Sequence, residues 1–151
     1  MDIRRANPAD AETLTGIAFA AKRHWGYPEQ WIQIWKEVLT IQPELIANHE
    51  TYIAHIEGQA AGFYALIAKS NRISLEHLWV LPAAMGKGVG RALFEHAVQR
   101  AKVLGITAIE IESDPNAEKF YERMGARRIG KNVTELGGKQ RELPVLIYEC
   151  S

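Results

Sequence analysis

The sequence predicts an α+β fold, in which one mixed β-sheet carries helices on both of its faces. Strand-like and helix-like segments follow one another in the order β-α-α-β-β-β-α-β-α-β-β. No repeat, low-complexity tract or linker interrupts the 151 residues, which is the length of one ordinary domain. Apolar residues make up 47% and charged residues 24% of the chain, as in soluble globular proteins. We therefore treat residues 1–151 as a single domain.

The first third of the chain is predicted to be mainly helical. Asn7 is typical of a helix N-cap, and Pro8 is typical of the first helical position. Apolar residues then recur at helical spacing, and Lys22 to Pro28 breaks the pattern. The predicted elements are a strand over 3–6, this helix, a second helix over 29–39 and one helical turn over 43–47.

Strand signals dominate the middle of the chain, and a glycine-rich stretch follows them. Glu57-Gly58 and Ser70-Asn71 read as tight turns between β-branched and apolar runs. The predicted strands cover 51–56, 60–68 and 73–80, and the stretch 86–90 opens a long amphipathic helix. Beyond that helix we predict a strand over 108–112, a helix over 116–124 ended by Gly125, and strands over 127–133 and 143–149 around Gly137-Gly138.

Composition excludes several classes of protein. Lys plus Arg and Asp plus Glu each number 18, so the basic excess of a nucleic-acid binder is absent. Cys150 is the one cysteine, which excludes an internal disulfide and a cysteine-built metal site. The histidines have no metal-ligand spacing with Asp, Glu or Cys, so we expect no metal. No apolar run approaches the ~18 residues of a membrane span, and no signal-peptide core follows Met1, so we expect a cytoplasmic protein without membrane contact.

The glycines at 86, 88 and 90 carry the clearest chemical signal. A strand runs into them and they run directly into a helix, so the backbone N–H groups of 86–91 face a positive helix terminus. That arrangement is typical of a phosphate or pyrophosphate site. The alternative is that the glycines only form a tight turn and bind nothing. A P-loop is excluded because Lys87 precedes Gly88 and no Ser or Thr follows it. The spacing and the preceding antiparallel run also exclude a dinucleotide fingerprint.

Two motifs resemble the GNAT acetyltransferase superfamily. Val80-Leu81-Pro82 followed by Met85-Gly86-Lys87-Gly88-Val89-Gly90 is similar to its acetyl-CoA motif, with Met85 in place of Gln or Arg. Asn116-Ala117, followed by Phe120-Tyr121 and Gly125, is similar to the segment that lies beside the thiol end of CoA. The resemblance implies a mostly antiparallel seven-stranded sheet, a three-layer sandwich splayed near Val80 and Ile109, with acetyl-CoA as co-substrate.

The resemblance also implies roles for individual residues. Tyr121 matches the tyrosine that protonates the departing thiolate in the family. Its alternative role is purely structural, as an aromatic ring that packs beside Phe120. For the base, the resemblance favours Glu76, four residues before Val80, where relatives carry an acidic residue or a histidine. His77 is the alternative, because an imidazole suits proton transfer near neutrality. Strand alternation places the two on opposite faces, and a bulge would exchange them. The implied cofactor-binding residues are Leu78, Trp79, Val80, Met85, Gly86, Lys87, Gly88, Val89, Gly90, Arg91, Asn116 and Phe120.

The acceptor side is expected in the first helices and the loop between them. Three of the four tryptophans fall within eleven residues, and helical spacing makes Trp31 and Trp35 core candidates. Trp25 and Tyr27 lie in the loop, where aromatic rings hold an apolar group or a cation. The expected substrate-binding residues are His24, Trp25, Tyr27 and His77.

These features predict an N-acetyltransferase acting directly on a primary amine, with a small molecule as the leading substrate. The alternatives are acetylation of a protein N-terminus or lysine, and a CoA-binding sensor without catalysis. The resemblance also implies a homodimer, with the strand over 143–149 as its edge.

Overall fold

The strands form one seven-stranded sheet in the order β1-β2-β3-β4-β5-β7-β6. The structure is a computed structural model that describes residues 1–70 and 72–150, so Asn71 of the predicted Ser70-Asn71 turn lies outside the described residues. The strands are β1 (Asp2–Arg5), β2 (Glu50–Ile56), β3 (Gln59–Ala68), β4 (Ile73–Val80), β5 (Ala108–Glu112), β6 (Arg127–Leu136) and β7 (Lys139–Glu149). Neighbouring strands are antiparallel except β4 and β5. The predicted mixed sheet is therefore confirmed.

Among the described residues, six α-helices cover the two faces of the sheet. They are α1 (Ala11–His24), α2 (Glu29–Ile34), α3 (Lys36–Leu39), α4 (Pro43–Asn48), α5 (Val89–Val103) and α6 (Glu118–Arg123). Leu14 of α1, Leu39 of α3 and Ile46 of α4 pack with Phe63 in one core. Leu93 of α5 and Tyr121 of α6 belong to a second core, on the other face. The sheet thus lies between two helical layers, as predicted, and none of the described helices is long and apolar enough to span a membrane.

Two predicted elements differ in detail from the structure. The predicted helix over 29–39 is interrupted at Trp35, whose ψ of −1° separates α2 from α3. This break places the indole ring against Lys22, so tertiary packing overrides the continuous helical pattern. The last hairpin is longer than predicted because its polar residues 134–142 also pair, around Gly137-Gly138.

The position of β7 corrects the predicted dimer edge. The strand over 143–149 was expected to be an edge strand, yet β7 pairs with β5 on one side and with β6 on the other. It therefore has no free edge for a second copy of the chain. β6 is the outer strand, and residues 127–135 of it are exposed.

The parallel pair β4 and β5 opens the sheet at its centre. Cα pairing between them covers Ile73 with Ile109 and Ser74 with Glu110, and no later residue of either strand. The strands diverge beyond these pairs, which leaves the last residues of β4 without a partner on the β5 side. Val80 lies in the open part as predicted, whereas Ile109 lies in the paired part and not at the predicted splay.

Candidate active site

A cavity of about 620 Å³ lies where β4 and β5 diverge. Its walls come from the end of α1, from β4, from the glycine-rich loop and from α6. The predicted site residues that line it are Trp25, Glu76, Leu78, Trp79, Val80, Met85, Gly86, Gly88, Val89, Gly90, Arg91, Asn116, Phe120 and Tyr121. The described lining does not include the other predicted residues, His24, Tyr27, His77 and Lys87.

A β-bulge in β4 decides which side chain faces this cavity. Ala65 pairs with His77 and Leu66 pairs with Leu75, so Glu76 is the extra residue between two consecutive pairs. Leu75 and Leu78 consequently both face the α5 side of the sheet. The Glu76 carboxylate lines the cavity and forms an ion pair with Lys69 at 3.0 Å.

His77 lies on the opposite side of the bulge, beneath α1. It is 8% exposed, and its Nδ1 accepts a hydrogen bond of 3.0 Å from Trp79 Nε1. Burial lowers the pKa of His77 to about 4, so the imidazole is neutral at pH 7 with its proton on Nε2. This placement favours a structural role in orienting Trp79, and it leaves Glu76 as the acid–base group of β4 that faces the cavity.

The glycine-rich loop forms the end of the cavity at the N-terminus of α5. Gly86 and Gly88 adopt positive φ angles of 79° and 80°, which turn the chain into the helix. The first turn of α5 carries no carboxylate, and its N–H groups have no intrahelical acceptor. The helix dipole and these donors are therefore available to an anion. Gly90 touches α6, because a Cβ atom there would lie 3.3 Å from the Phe120 ring.

Tyr121 reaches the cavity from α6. The residue is 7% exposed, and its ring packs against Phe94 and Phe120 with centroid distances of 6.0 and 5.2 Å. Within the described residues its hydroxyl makes no hydrogen bond to protein, although the residue lines the cavity. Burial, together with the negative charge of Asp114, raises the pKa of Tyr121. The phenol therefore keeps its proton at neutral pH and is free to donate it to a bound molecule.

The loop between α1 and α2 forms the opposite wall. Trp25 is 41% exposed and lines the cavity, while His24 is exposed and packs its ring edge-on against Trp25 at 5.4 Å. Tyr27 is not among the lining residues, and its side chain contacts Asp114, a lining residue that the two sequence motifs did not mark. Its hydroxyl lies 3.0 Å from each oxygen of that carboxylate.

Sequence reasoning also missed Lys22, Glu112 and Asp114. Lys22 lies four residues after Ala18 in the buried stripe of α1. A lysine at an apolar position of an amphipathic helix indicates a buried ion pair, so the sequence did contain a signal for this residue. Its Nζ is 2.6 Å from Asp114 Oδ2. Glu112 ends β5 and lines the cavity, where its carboxylate accepts a hydrogen bond from Asn132. No sequence motif marks this last residue.

The charged residues of the cavity are divided between its two ends. Arg91 of α5, with Lys119 and Arg123 of α6, lines the part near the glycine-rich loop. Glu76 of β4, Glu112 of β5 and Asp114, which follows β5, line the part where the strands diverge. An anionic molecule is therefore favoured at the helix end, and a cationic group is favoured at the strand end.

A model of the acetyltransferase (GNAT) domain matches residues 19–139 of this sequence. The chain belongs to the GNAT acetyltransferase family. This match confirms the resemblance identified from the two motifs. Both motifs lie within the matched range, and the structure places them on the walls of one cavity.

Solved structures of the family share the fold. An N-acetyltransferase of the GCN5-related class from Rhodopseudomonas palustris superimposes with a TM-score of 0.83 at 20% identity, covering 98% of this chain and 94% of that one. PaiA N-acetyltransferase from Thermoplasma acidophilum, solved with coenzyme A, gives 0.79 at 22% identity and covers 98% of both chains. At these identities the likeness establishes the architecture, which agrees with the predicted GNAT fold.

Curated relatives match over shorter stretches. Peptidyl-lysine N-acetyltransferase YjaB of Salmonella typhimurium is 34% identical over 74 residues, covering 49% of this chain and 50% of that protein. Streptothricin acetyltransferase of Streptomyces lavendulae is 35% identical over 85 residues, covering 52% of this chain and 45% of that protein. The chain thus spans about half the length of these relatives. One of them is named for a protein substrate and the other for a small molecule.

Proposed function

We propose that the protein is an acetyl-CoA-dependent N-acetyltransferase that transfers the acetyl group directly to a primary amine, with a small molecule as the leading substrate. One observation carries this proposal: Tyr121, whose protonated hydroxyl has no hydrogen-bond partner among the described residues, lines the same cavity as the glycine-rich loop and the splayed strand β4. Family membership and neighbours solved with coenzyme A support it. A CoA sensor without catalysis does not require this hydroxyl.

The cofactor side follows from the helix terminus. The first-turn N–H groups of α5 and the nearby Arg91 provide donors and positive charge for the pyrophosphate of acetyl-CoA. The unpaired end of β4, from Leu78 to Val80, provides backbone groups for the pantetheine arm and for the thioester carbonyl. Residues of the glycine-rich loop and of this end of β4 line the same cavity.

In the chemical step the amine nitrogen forms a bond to the acetyl carbon while the carbon–sulfur bond breaks. The attacking amine must be neutral, so Glu76 takes the ammonium proton directly or through water. Tyr121 donates its phenolic proton to the departing sulfur, which gives the free thiol of CoA. The nitrogen of the adduct loses its remaining extra proton to the phenolate, directly or through water, which restores the tyrosine, and Glu76 releases its own proton to solvent. No covalent enzyme intermediate is needed, because both substrates bind in the same cavity.

The decisive experiment measures binding and turnover separately. Acetyl-CoA at 100 times its dissociation constant is expected to add about 2.7 kcal/mol to the free energy of unfolding, seen as a thermal shift. Thiol release is then followed with monoamines, polyamines, aminoglycosides, streptothricin-like amines and lysine peptides. Absence of stabilisation contradicts CoA binding. Stabilisation without thiol release from the whole panel favours the sensor.

A protein lysine is the second candidate acceptor. The similarity to a peptidyl-lysine N-acetyltransferase favours it. The exposed ring of Trp25 and the carboxylates at the strand end suit an ammonium group from either source. Faster thiol release with lysine peptides than with every small amine would make the protein acceptor the better assignment.

Replacing Gly88 with alanine is expected to weaken acetyl-CoA binding at least tenfold. A Cβ atom at this position meets no protein atom within 4 Å, so the obstruction it creates is with the bound pyrophosphate. The positive φ of 80° adds a strain of about 1–2 kcal/mol in the free protein. Isothermal titration with acetyl-CoA measures the affinity, and urea unfolding measures the strain.

Gly105→Ala is the matched control for this change. Gly105 has a φ of 76°, and its Cβ position is also free of contacts, but it follows α5 at the far end of the helix. Both variants should lose similar stability, and Gly88→Ala alone should lose affinity. Equal acetyl-CoA affinities of the two variants would show that the loop does not approach the ligand closely.

Replacing Glu76 with glutamine is expected to lower turnover about tenfold at pH 7, because an amide cannot accept the ammonium proton and water must do so. The defect should shrink as pH rises toward ~10, where an alkylamine is increasingly neutral on its own. The measurement is the pH profile of kcat/KM for the best amine.

Glu110→Gln serves as the control, since Glu110 is an ion-paired glutamate on the neighbouring strand β5, 3.1 Å from Arg72, and does not line the cavity. Its pH profile should match that of the wild type. A Glu76→Gln defect that stays constant with pH would assign the residue to binding and not to proton transfer.

A further inference from the structure

A polar network connects the loop between α1 and α2, the proposed acceptor wall of the cavity, to the turn before α6. Its five residues are Lys22, Tyr27, Asp114, Asn116 and Arg141, of which Asp114 and Asn116 also line the cavity. Asp114 accepts from Lys22 Nζ at 2.6 Å and from Arg141 Nη2 at 3.3 Å. The Tyr27 hydroxyl donates to the Asp114 carboxylate and accepts from Arg141 Nη2 at 2.8 Å and from Asn116 Nδ2 at 2.9 Å. The hydroxyl is thus at the centre of the network.

The network joins three segments that are far apart in the sequence. Lys22 and Tyr27 come from the end of α1 and the loop after it, whose Trp25 lines the cavity. Asp114 and Asn116 form the turn that leads into α6, with Asp114 accepting the backbone N–H of Asn116 at 2.8 Å. Arg141 comes from β7. Because this turn leads into α6, which carries Tyr121, the network connects the acceptor wall to the proposed acid.

Aromatic rings surround the cations of the network. Lys22 Nζ lies 4.1 Å from the ring centroid of Trp35, and the Arg141 guanidinium carbon lies 4.9 Å from the same ring. The ring of Tyr27 packs edge-on against Trp35 at 5.0 Å. Such contacts help to compensate the buried positive charges. They also hold the Tyr27 ring in place independently of its hydroxyl.

An ion pair that only stabilised the fold would not need the Tyr27 hydroxyl. Lys22 and Asp114 contact each other directly, and both side chains are 9% exposed. The hydroxyl adds a direct hydrogen bond from the acceptor loop to Asn116, which lines the cavity five residues before Tyr121. A link between the amine-binding wall and the acid has a direct use, because acyl transfer requires both at a defined separation.

We propose that Tyr27 is a positioning residue for acetyl transfer, whose hydroxyl holds the acceptor loop against the Asp114–Asn116 turn so that the bound amine and the Tyr121 hydroxyl keep their productive separation. The proposal rests on the proposed function. It assigns to Tyr27 no contact with substrate, in agreement with its absence from the described cavity lining.

The test is Tyr27→Phe, which keeps the ring packing and removes only the hydroxyl. We expect the amine KM to rise about tenfold and kcat to fall about tenfold, since small misplacements of reacting groups cost up to ~10² in rate. Acetyl-CoA affinity should stay within twofold of the wild type, because the glycine-rich loop is untouched. Tyr52→Phe is the matched control, as Tyr52 stacks on Tyr64 beneath α5 and has no contact with the network.

A second variant tests whether the hydroxyl acts through the network. Arg141→Met removes the donor to Tyr27 while retaining much of the side-chain stem. If the two residues act as one unit, the double variant should be no worse than Tyr27→Phe alone. If the losses of activity in the two single variants add up in the double variant, Arg141 and Tyr27 act independently, which would contradict their coupling through the network.

Tryptophan fluorescence supplies a readout besides activity. All four tryptophans lie at the network or the cavity: Trp35 contacts Lys22, Trp31 packs on Tyr27, and Trp25 and Trp79 line the cavity. Tyr27→Phe should shift the emission maximum and increase quenching by acrylamide, and Tyr52→Phe should do neither.

The outcomes separate this inference from the proposed function. An active wild type with unchanged kinetics in Tyr27→Phe overturns the positioning role alone. Loss of acetyl-CoA affinity in Tyr27→Phe also overturns it, because the residue would then serve the cofactor. A wild type that releases no thiol with any amine overturns the proposed function, and unchanged fluorescence of Tyr27→Phe overturns the structural link itself.

Discussion

Tyr121→Phe is expected to lower kcat by about 10²–10⁴ while leaving the affinity for acetyl-CoA nearly unchanged. The phenylalanine ring preserves the packing against Phe94 and Phe120, so the cavity keeps its shape. What is lost is the proton for the leaving sulfur, a contribution made in the transition state and not in the ground state. Steady-state thiol release gives kcat, and isothermal titration gives the affinity.

Tyr148→Phe is a closely matched control for this result. Tyr148 packs against the same Phe94 ring, at 5.2 Å, but does not line the cavity. Its turnover should equal that of the wild type. Full turnover of Tyr121→Phe, under conditions where the chemical step limits the rate, would contradict the assignment, and a water molecule would then have to supply the proton.

Asp114→Asn is expected to lower the free energy of unfolding by about 3–5 kcal/mol, because it leaves Lys22 and Arg141 buried without their counter-charge. The loss is a large part of the roughly 5–15 kcal/mol that stabilises a domain of ordinary size. Urea unfolding at pH 7 measures it. Glu50→Gln, which breaks the more exposed ion pair with Arg100, should cost about 1 kcal/mol or less.

The stability difference between Asp114→Asn and the wild type should depend on pH. Burial opposes ionisation of Asp114, but the charge and hydrogen bond of Lys22, with donors from Asn116 and Tyr27, outweigh burial and hold the pKa of Asp114 below its ordinary value of 3.8. The carboxylate therefore stabilises the fold above that value, and the stabilisation is lost as pH falls from 3.8 through the lower folded pKa.

Unfolding curves of the wild type and Asp114→Asn should consequently converge on acidification below pH 3.8. The Glu50→Gln variant provides the reference for general acid destabilisation. A difference that stays constant down to about pH 2, or one below about 1 kcal/mol at pH 7, would show that Asp114 is not the counter-charge that holds these cations.

Local features of the sequence determined much of the fold and the cofactor side of the site. Glycines at 86 and 88 permit the positive φ angles that turn the chain just before an amphipathic stripe, so the turn and the start of α5 follow from nearby residues alone. Strand β4, from Ile73 to Val80, matches its predicted bounds because its β-branched and apolar run ends at Pro82. The position of Tyr121 followed from a contiguous motif.

The acceptor side depended on contacts between distant residues. The bulge that turns Glu76 to the cavity and His77 away from it is a property of the pairing between β3 and β4, which period-two alternation within β4 does not contain. Likewise, the interior position of β7 comes from its pairing with both β5 and β6, and its own sequence resembles that of an edge strand.

The network around Asp114 shows most clearly the difference between local sequence signals and contacts between distant residues. Lys22 and Asp114 are 92 residues apart, and Asp114 and Arg141 are 27 apart, so no local pattern joins them. The sequence by itself determined the glycine turn and the helix terminus at which we expect an anion to bind, because dihedral preference and helix capping act within a few residues. Only the tertiary structure decided which charges are buried together behind the acceptor wall, because the cost of burying a charge depends on partners that the fold brings from elsewhere.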